Sequence, residues 1–370
     1  MVNFKVIFPV FILFIIGCSS LPLKNARTEF YSGDLAGADD ILEGCKGISE
    51  RDLLLCYMED GLILHYMGAY EESTELLLKA SQLMKRQEQI SIAEQSASVL
   101  INDRVNTYKG EYSERLWVHT YLMMNFLLQY KYESALVEAK QALEVYDKYP
   151  ESLEGDHFTR VLIALCFENM NLPDDARIEY EKLAEEMGGG EIAPEPIVPG
   201  KGELVLFIGQ GRVPTKVSSD VVLPPSVKIS IPRYTDDYTP MTVTVQSGGG
   251  ELDPMKISTD LGEVARKSLD DRSAQYLARQ GLRGGLKEAI AQEVGENNPI
   301  GEFFARAILF LLEEADTRSW ETLPGGLILA RIVLDPGVHN LEISSEDLQT
   351  VYLDGIYIPQ GRRVYRSLRF

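Results

Sequence analysis

Side chains that could act as nucleophiles, metal ligands or general acids and bases are scattered through this 370-residue sequence. Cys18 ends an apolar leader, Cys45 and Cys56 fall in neighbouring helical segments, and Cys166 sits inside the apolar run Val161-Leu-Ile-Ala-Leu-Cys166-Phe as a buried thiol. The histidines His65, His119, His157 and His339 lie far apart. His65 and His119 fall among apolar neighbours and read as packing or groove residues. There is no His-Glu-x-x-His, Cys-x-x-Cys, Gly-x-Ser-x-Gly or Gly-x-x-x-x-Gly-Lys, so no catalytic residue, no metal and no cofactor is expected. Gly209-Gln-Gly211 lacks the third glycine and helix start of a phosphate loop and reads as a strand-end turn. Glu185-Glu186 ends a helical run and Asp236-Asp237 lacks the alternating oxygens of a calcium loop, so both read as solvated faces.

Two constellations could bind a partner. Arg272, Arg279 and Arg283 share a helical face near Arg266, and their guanidinium forks would suit carboxylate or phosphate groups, or ion pairs within the domain. Asp316, Arg318 and Trp320 alternate, so an extended chain puts them on one side. One reading is a structural corner, with Arg318 stacked on Trp320 and paired to Asp316. The other is an exposed binding hot spot built on Arg318 and Trp320, and catalysis by Asp316 is a third.

The elements that must carry these residues change character along the chain. Gly33-Asp-Leu-Ala-Gly-Ala38 recurs as Gly68-Ala-Tyr-Glu-Glu-Ser73, each between segments of helical period. This spacing resembles the 34-residue tetratricopeptide repeat (TPR), with Tyr57, Gly61 and Leu64 on a first helix and Leu77 and Ala80 on a second. Less regular units open at Gln129-Tyr-Lys-Tyr-Glu-Ser-Ala135 and Asn171-Leu-Pro-Asp-Asp-Ala176, and a longer helix pair is expected around 82–108. Stacked repeats present a concave surface. Tyr57, Leu64, His119, Phe126 and Phe167, all on first helices, are the candidate partner-binding residues of that groove, with core packing as the alternative.

Glycine and proline from Gly188 to Gly200 then end the helical period, as a linker would. Beyond it Glu203–Gly209, Val227–Ile231 and Met241–Gln246 read as strands, followed by helices over roughly 260–294 and 300–314. Gly325–Leu334, Asp335-Pro-Gly337 and Val338–Ile343 read as a hairpin, and two strands, Val351–Ile358 and Arg363–Phe370, end the chain. The expected fold is a multidomain α+β chain: an all-α TPR-like solenoid over 18–187, a linker over 188–202 and an α+β domain over 203–370 with a largely antiparallel sheet.

Composition sets the compartment. Lys5 precedes an apolar run from Val6 to Gly17 that is too short to span a bilayer, so residues 1–17 read as a signal peptide. The ending Ile15-Ile-Gly-Cys18 resembles the lipobox of bacterial lipoproteins, which implies diacylglyceryl (palmitate-type) modification of Cys18 and membrane anchoring by acyl chains. An ordinary secretory leader is the alternative. Ser19 resembles the version sorted to the outer membrane, facing the periplasm. The net charge of -20 excludes nucleic acid as a partner and repels anionic headgroups, so membrane contact comes through the lipid alone. Outside the cytoplasm Cys45 and Cys56 are either a disulfide, worth about 2–3 kcal/mol, or two buried thiols.

The leader, the TPR-like half with Tyr108-Lys-Gly-Glu-Tyr-Ser-Glu114, the strand Glu203-Leu-Val-Leu-Phe-Ile-Gly-Gln-Gly211 and the string Ala315-Asp-Thr-Arg-Ser-Trp320 together resemble an uncharacterised family of bacterial TPR-containing lipoproteins. The resemblance covers nearly the whole mature chain, and the Ala-Asp-Thr-Arg-Ser-Trp string is its most specific part. It implies the architecture and compartment above and, through neighbouring lipoproteins that activate penicillin-binding proteins, a link to peptidoglycan. The expected function is a non-enzymatic, lipid-anchored scaffold that binds an envelope protein. The alternative is an envelope hydrolase or polysaccharide-binding protein working through the C-terminal half.

Overall fold

The computed structural model describes residues 21–94, 107–190, 192, 197–223, 227–235, 241–272, 315–345 and 350–370. Cys18, Asp236-Asp237, Arg279, Arg283, most of the helices expected after Asp260 and the middle of the helix pair expected around 82–108 lie outside these residues.

Among the described residues the helical half has four hairpins: α1 (Leu21–Ser32) with α2 (Leu35–Leu42), α3 (Leu53–Met67) with α4 (Tyr70–Glu94), α5 (Tyr112–Leu128) with α6 (Tyr132–Lys148), and α7 (His157–Asn169) with α8 (Pro173–Glu186). All four turn in the same way. Gly33, Gly68, Tyr130 and Asn171 have positive φ (92°, 82°, 58° and 56°). In each turn that residue donates its N–H to the carbonyl three positions back and the next residue to the carbonyl five back, as in Gly68 to His65 (3.0 Å) and Ala69 to Leu64 (3.0 Å), or Asn171 to Glu168 (3.0 Å) and Leu172 to Phe167 (3.0 Å). This is the Schellman arrangement, in which glycine is favoured because a side chain is strained at positive φ. Tyr130 and Asn171 accept the strain, so the glycine signal fades from the third and fourth hairpins although their geometry does not change. Five residues beyond each turn stand Ala38, Ser73, Ala135 and Ala176, all buried. Small size matters where helices touch: a Cβ on Gly61 would lie 2.9 Å from the Leu77 side chain, and Ser73 Oγ donates to the Gly61 carbonyl at 2.5 Å. Pro173 opens α8, where its missing N–H costs nothing. Cys45 and Cys56 are bonded, tying the 3₁₀ turn Glu43–Cys45 to α3, and Cys166 is a buried free thiol.

The second half contains β1 (Gly202–Gln210), β2 (Lys216–Leu223), β3 (Val227–Tyr234), β4 (Val243–Ser247), β5 (Gly250–Leu252), β6 (Met255–Asp260), β7 (Gly326–Leu334), β8 (Gly337–Ser345), β9 (Val351–Ile358) and β10 (Arg363–Arg369). Residues 261–272 are helical. One sheet has the order β10-β1-β7-β6, another β5-β4-β8-β9, and β2-β3 is a separate ribbon. All pairings are antiparallel except β1 with β10, which is parallel. Alternation along β1 explains why all nine of its residues are buried. Leu204, Leu206 and Ile208 point to one core with Val243 and Val245 of β4 and Ile343 of β8, while Val205 and Phe207 point to another with Trp117, Phe158 and Tyr365. Helices, first sheet and second sheet therefore form three layers, with the first sheet covered on both faces.

One expectation is corrected. Gly325–Leu334 and Val338–Ile343 do not form a hairpin: β7 pairs with β1 and β6, β8 with β4 and β9, and the Asp335-Pro-Gly337 turn carries the chain between sheets. β9 and β10 are likewise split between the sheets. The 188–202 stretch does separate α8 from β1, but the apolar core does not divide there, because one cluster runs from Leu23 of α1 through the helices to Phe207, Leu329 and Tyr365 of the first sheet. A sheet face needs cover from water, and the repeat supplies it.

A single calorimetric unfolding transition is therefore expected for the full chain. Fragments 18–187 and 203–370 made separately should lack cooperative unfolding and bind hydrophobic dyes, each having lost the layer that buries its apolar face. Two independent transitions, or a native-like melt of the isolated helical fragment, would contradict the shared core.

Candidate functional site

First helices of the repeat carry the candidate groove residues, and the first sheet lies on them: α3 and α5 touch β10, and α7 touches β6 and β7. Leu64, His119, Phe126 and Phe167 are buried, and Tyr57 is half-buried beneath the Lys79 ammonium, 6.0 Å from its ring centroid. Core packing accounts for the four buried side chains. His119 bridges α5 to α6 through Nδ1 and Glu138 Oε2 at 2.7 Å. His65 joins Asn125 Oδ1 (2.6 Å) to Ser367 Oγ of β10 (2.7 Å), and burial pushes its pKa down to about 4, so it links helices to sheet as a neutral ring.

Arg318 and Trp320 belong to an irregular strap, residues 315–324, between these layers. Arg318 grips Asp316 with two bonds (Nε to Oδ1 2.8 Å, Nη2 to Oδ2 2.7 Å) and adds Asp52 Oδ1 at 2.8 Å and the Arg51 carbonyl at 3.2 Å. Its guanidinium lies 5.3 Å from the ring centre of Tyr108, not on Trp320. Trp320 is completely buried, 5.8 Å from Tyr121, and so is not an exposed hot spot. The structural-corner reading thus describes this segment, with a different aromatic beneath the arginine. Helical carboxylates hold the strap's backbone. Glu114 accepts the Trp320 N–H at 2.8 Å, and Glu59 accepts those of Glu321 (3.0 Å) and Thr322 (3.1 Å) while paired to Arg27 at 2.6 Å.

Two further buried ion clusters join the halves. Glu111 accepts from Lys216 of β2 at 2.7 Å and from Arg272, and these cations bring its pKa down to about 2 against the opposing effect of burial. Arg331 of β7 forks onto Glu168 of α7 (2.8 and 3.0 Å) and reaches Glu203 of β1, which Arg363 also contacts at 2.7 Å. Arg266 donates to the Thr235 carbonyl at 3.2 Å. The two arginines of the proposed cationic face that are described thus have partners inside the protein.

Sequence reasoning missed the open site. A cleft of about 410 Å³ lies where the start of α7, the end of α8, residues 260–267 and strands β6 and β7 converge. Glu154, Glu186, Asp260 and Glu263 line it with His157 and Lys267, and Met241, Leu327 and Ile328 add apolar surface. Its four carboxylates outnumber its one ammonium. Each also has a structural tie: Lys267 approaches Glu154 (3.7 Å) and Glu263 (3.8 Å), Arg160 holds Glu186 (2.7 Å), and Asp260 Oδ1 accepts the Glu263 N–H (2.9 Å) as a helix cap. Such a surface suits a cationic group. Among the described residues no three His, Cys, Asp or Glu are placed to hold a metal ion. A helix start near Asp260 was legible, but the sequence held no signal that this start would meet the end of α8.

Phe126→Ala should cost about 3–5 kcal/mol in denaturant unfolding, as a core truncation does. Glu111→Gln should cost about 3–5 kcal/mol by stranding Lys216. Because the folded pKa of Glu111 lies below its unfolded value, its stabilisation is present above about pH 4.5 and is lost as pH falls toward 2. The Gln variant should therefore show a shallower acid limb in a pH series of unfolding curves.

No family model matches the chain, and no curated protein matches it in sequence. Among solved structures it is similar to the apo form of RapI (12% identity, 45% of this chain and 42% of that one, TM-score 0.35), to MamA AMB-1 (15%, 46% and 99%, 0.21) and to MamA MSR-1 (18%, 45% and 94%, 0.20). The chain spans less than half of RapI. These neighbours are TPR-like repeat proteins. This chain combines a helical N-terminal half, built from four identically closed hairpins, with a sheet-containing C-terminal part.

Proposed function

We propose that this protein is a lipid-anchored, non-enzymatic scaffold of the bacterial envelope, held at the outer membrane through Cys18 on the periplasmic side, that binds a partner protein. The leader supports the anchor, and among the described residues no helix is long and apolar enough to cross a membrane. The observation that carries the binding mode is the seal between repeat and sheet. With the first-helix face of the repeat packed on the protein's own strands, the partner docks elsewhere, and among the described residues the acidic cleft is a recessed surface open to it. A partner presenting lysine or arginine there is complementary in charge, and the family resemblance directs the search to peptidoglycan-synthesis proteins.

A second reading is an envelope hydrolase or polysaccharide-binding protein. The same cleft favours it, since carboxylates facing a cavity are what glycoside hydrolysis uses. Against it stand the structural ties of all four carboxylates.

Cys18→Ser should abolish acyl labelling and move the protein out of the membrane fraction. Unchanged labelling and fractionation would remove the anchor from the proposal. Crosslinking and mass spectrometry in native envelopes should place partner crosslinks around residues 154–157 and 260–267, and Glu154→Lys with Glu263→Lys should weaken capture at least tenfold with the melting temperature nearly unchanged. A saturable peptidoglycan- or polysaccharide-cleaving activity of pure protein, lost in Glu154→Gln or Glu263→Gln while stability is kept, would decide for the enzyme.

A further inference from the structure

Among the described buried carboxylates of the helical half, Asp60 is the exception. Glu59 has Arg27 and two backbone N–H groups, Glu138 has His119, Glu179 has Arg160, and Asp156 accepts from Trp117 Nε1 (2.9 Å), Thr159 N (3.1 Å) and Thr159 Oγ1 (2.9 Å). Asp60, on α3, is wholly buried, and neither of its carboxyl oxygens accepts a hydrogen bond from an N–H or O–H group. Its charged neighbour is another acid, Asp39 of α2. The loop between those helices contributes the Gly44 backbone N–H, which acts on Asp60 without forming a well-made bond, and no lysine, arginine or histidine of α1, α4 or the loop acts on it among the described residues.

Two carboxylates cannot both stay ionised in contact when one is sealed from water and neither has a counter-cation. Something positive must sit between them. A metal ion would need several further oxygens, and the loop offers Asp60 an N–H donor instead, whereas a proton needs no more than the two carboxyl groups. We propose that Asp60 and Asp39 share one proton as a carboxylic acid–carboxylate pair, and that this proton is a latch holding α2 on α3 at acid and neutral pH and releasing it at alkaline pH. The O–H of one carboxyl donates to an oxygen of the other. Release sends one proton to solvent and leaves two negative charges face to face.

The surroundings make release consequential. Cys56 lies one helical turn before Asp60, and its bond to Cys45 pins the loop that carries Gly44. That loop holds Glu43, Gly44 and Cys45 all at positive φ (43°, 64° and 69°). With the loop tethered, repulsion between the carboxylates acts on α2, whose hairpin partner α1 begins three residues after Cys18. Burial, and after it the Asp39 charge, pushes the Asp60 pKa up to about 8.

The sign follows from linkage. Unfolded Asp60 ionises near pH 4 and folded Asp60 near 8, so between these values the unfolded chain has lost a proton that the folded chain keeps, and stability falls as pH rises. The test is denaturant unfolding of the mature chain from pH 5 to 9 for wild type, Asp60→Asn and Asp39→Asn. Relative to Asp60→Asn, the wild-type unfolding constant should rise about tenfold per pH unit and level off above pH 8. Asp39→Asn should move that plateau to lower pH without removing it. In parallel, isotope-edited infrared spectra of wild type at pH 6 should show a protonated carboxyl band that fades above pH 8 and is absent from Asp60→Asn. Equal pH dependence of wild type and Asp60→Asn would overturn the proposal. Should Asp60→Asn fail to fold, the wild-type spectrum decides: no protonated carboxyl at pH 6, or one that persists unchanged at pH 9, equally overturns it.

Discussion

The fold depends on buried carboxylates of first helices accepting backbone N–H groups from a strap that has no helix or strand to satisfy it. Residues 319–322 cross the interior as irregular chain, where each unpaired N–H would cost about 1–3 kcal/mol. Glu59 and Glu114 take three of these donors, Arg27 donates to the Ser319 carbonyl (2.9 Å), and Arg369 to that of Thr322 (2.7 Å). Charge-assisted bonds of this kind run about 1.5–3 kcal/mol each, and they form only when α1, α3, α5, the strap and β10 are all in place. The strap is thus where the helical and sheet halves become one body.

That union governs how function can be distributed. An open repeat uses its concave face for a partner, but here this face is spent on Phe207, Leu329 and Tyr365 of the protein's own sheet, with Arg331–Glu168 and Lys216–Glu111 pairs bonded across the junction. The sheet gains a dry second face in return, which is why β1 and β7 are apolar nearly throughout. In the proposed scaffold role, a partner meets the rim of the junction or its outer layers. The acidic cleft lies on that rim, built from residues of both halves, so binding there would sense their relative position.

The parts legible in the sequence were those set by local chemistry. Gly33 and Gly68 announced two turns because positive φ favours glycine, Pro173 announced a helix start, and the unbroken apolar run Leu204–Ile208 announced a strand covered on both faces. Where another residue tolerates the same strain, as Tyr130 and Asn171 do, the signal weakened although the turn is identical. Strands β2, β5 and β6 were missed, and of these β5 and β6 are short, with three and six residues in which to show a period. The alternation of Asp316, Arg318 and Trp320 marked the Arg318–Asp316 pair correctly, but it held no sign that Arg318 would also reach Asp52 and lie against Tyr108 instead of Trp320.

Sequence alone determined the two classes of secondary structure, the boundary between them near residues 188–202, the turns of the first two hairpins and the acidic balance of the chain, because each follows from period, backbone preference or charge count. Tertiary structure decided which strands pair, that Asp335-Pro-Gly337 passes between sheets instead of closing a hairpin, that the groove is filled from within, and that Glu154 and Glu186 meet Asp260 and Glu263 in one cleft. These outcomes turn on contacts between residues far apart in the chain, where a one-residue change of register exchanges the faces of a strand and no local pattern states which partner will cover it.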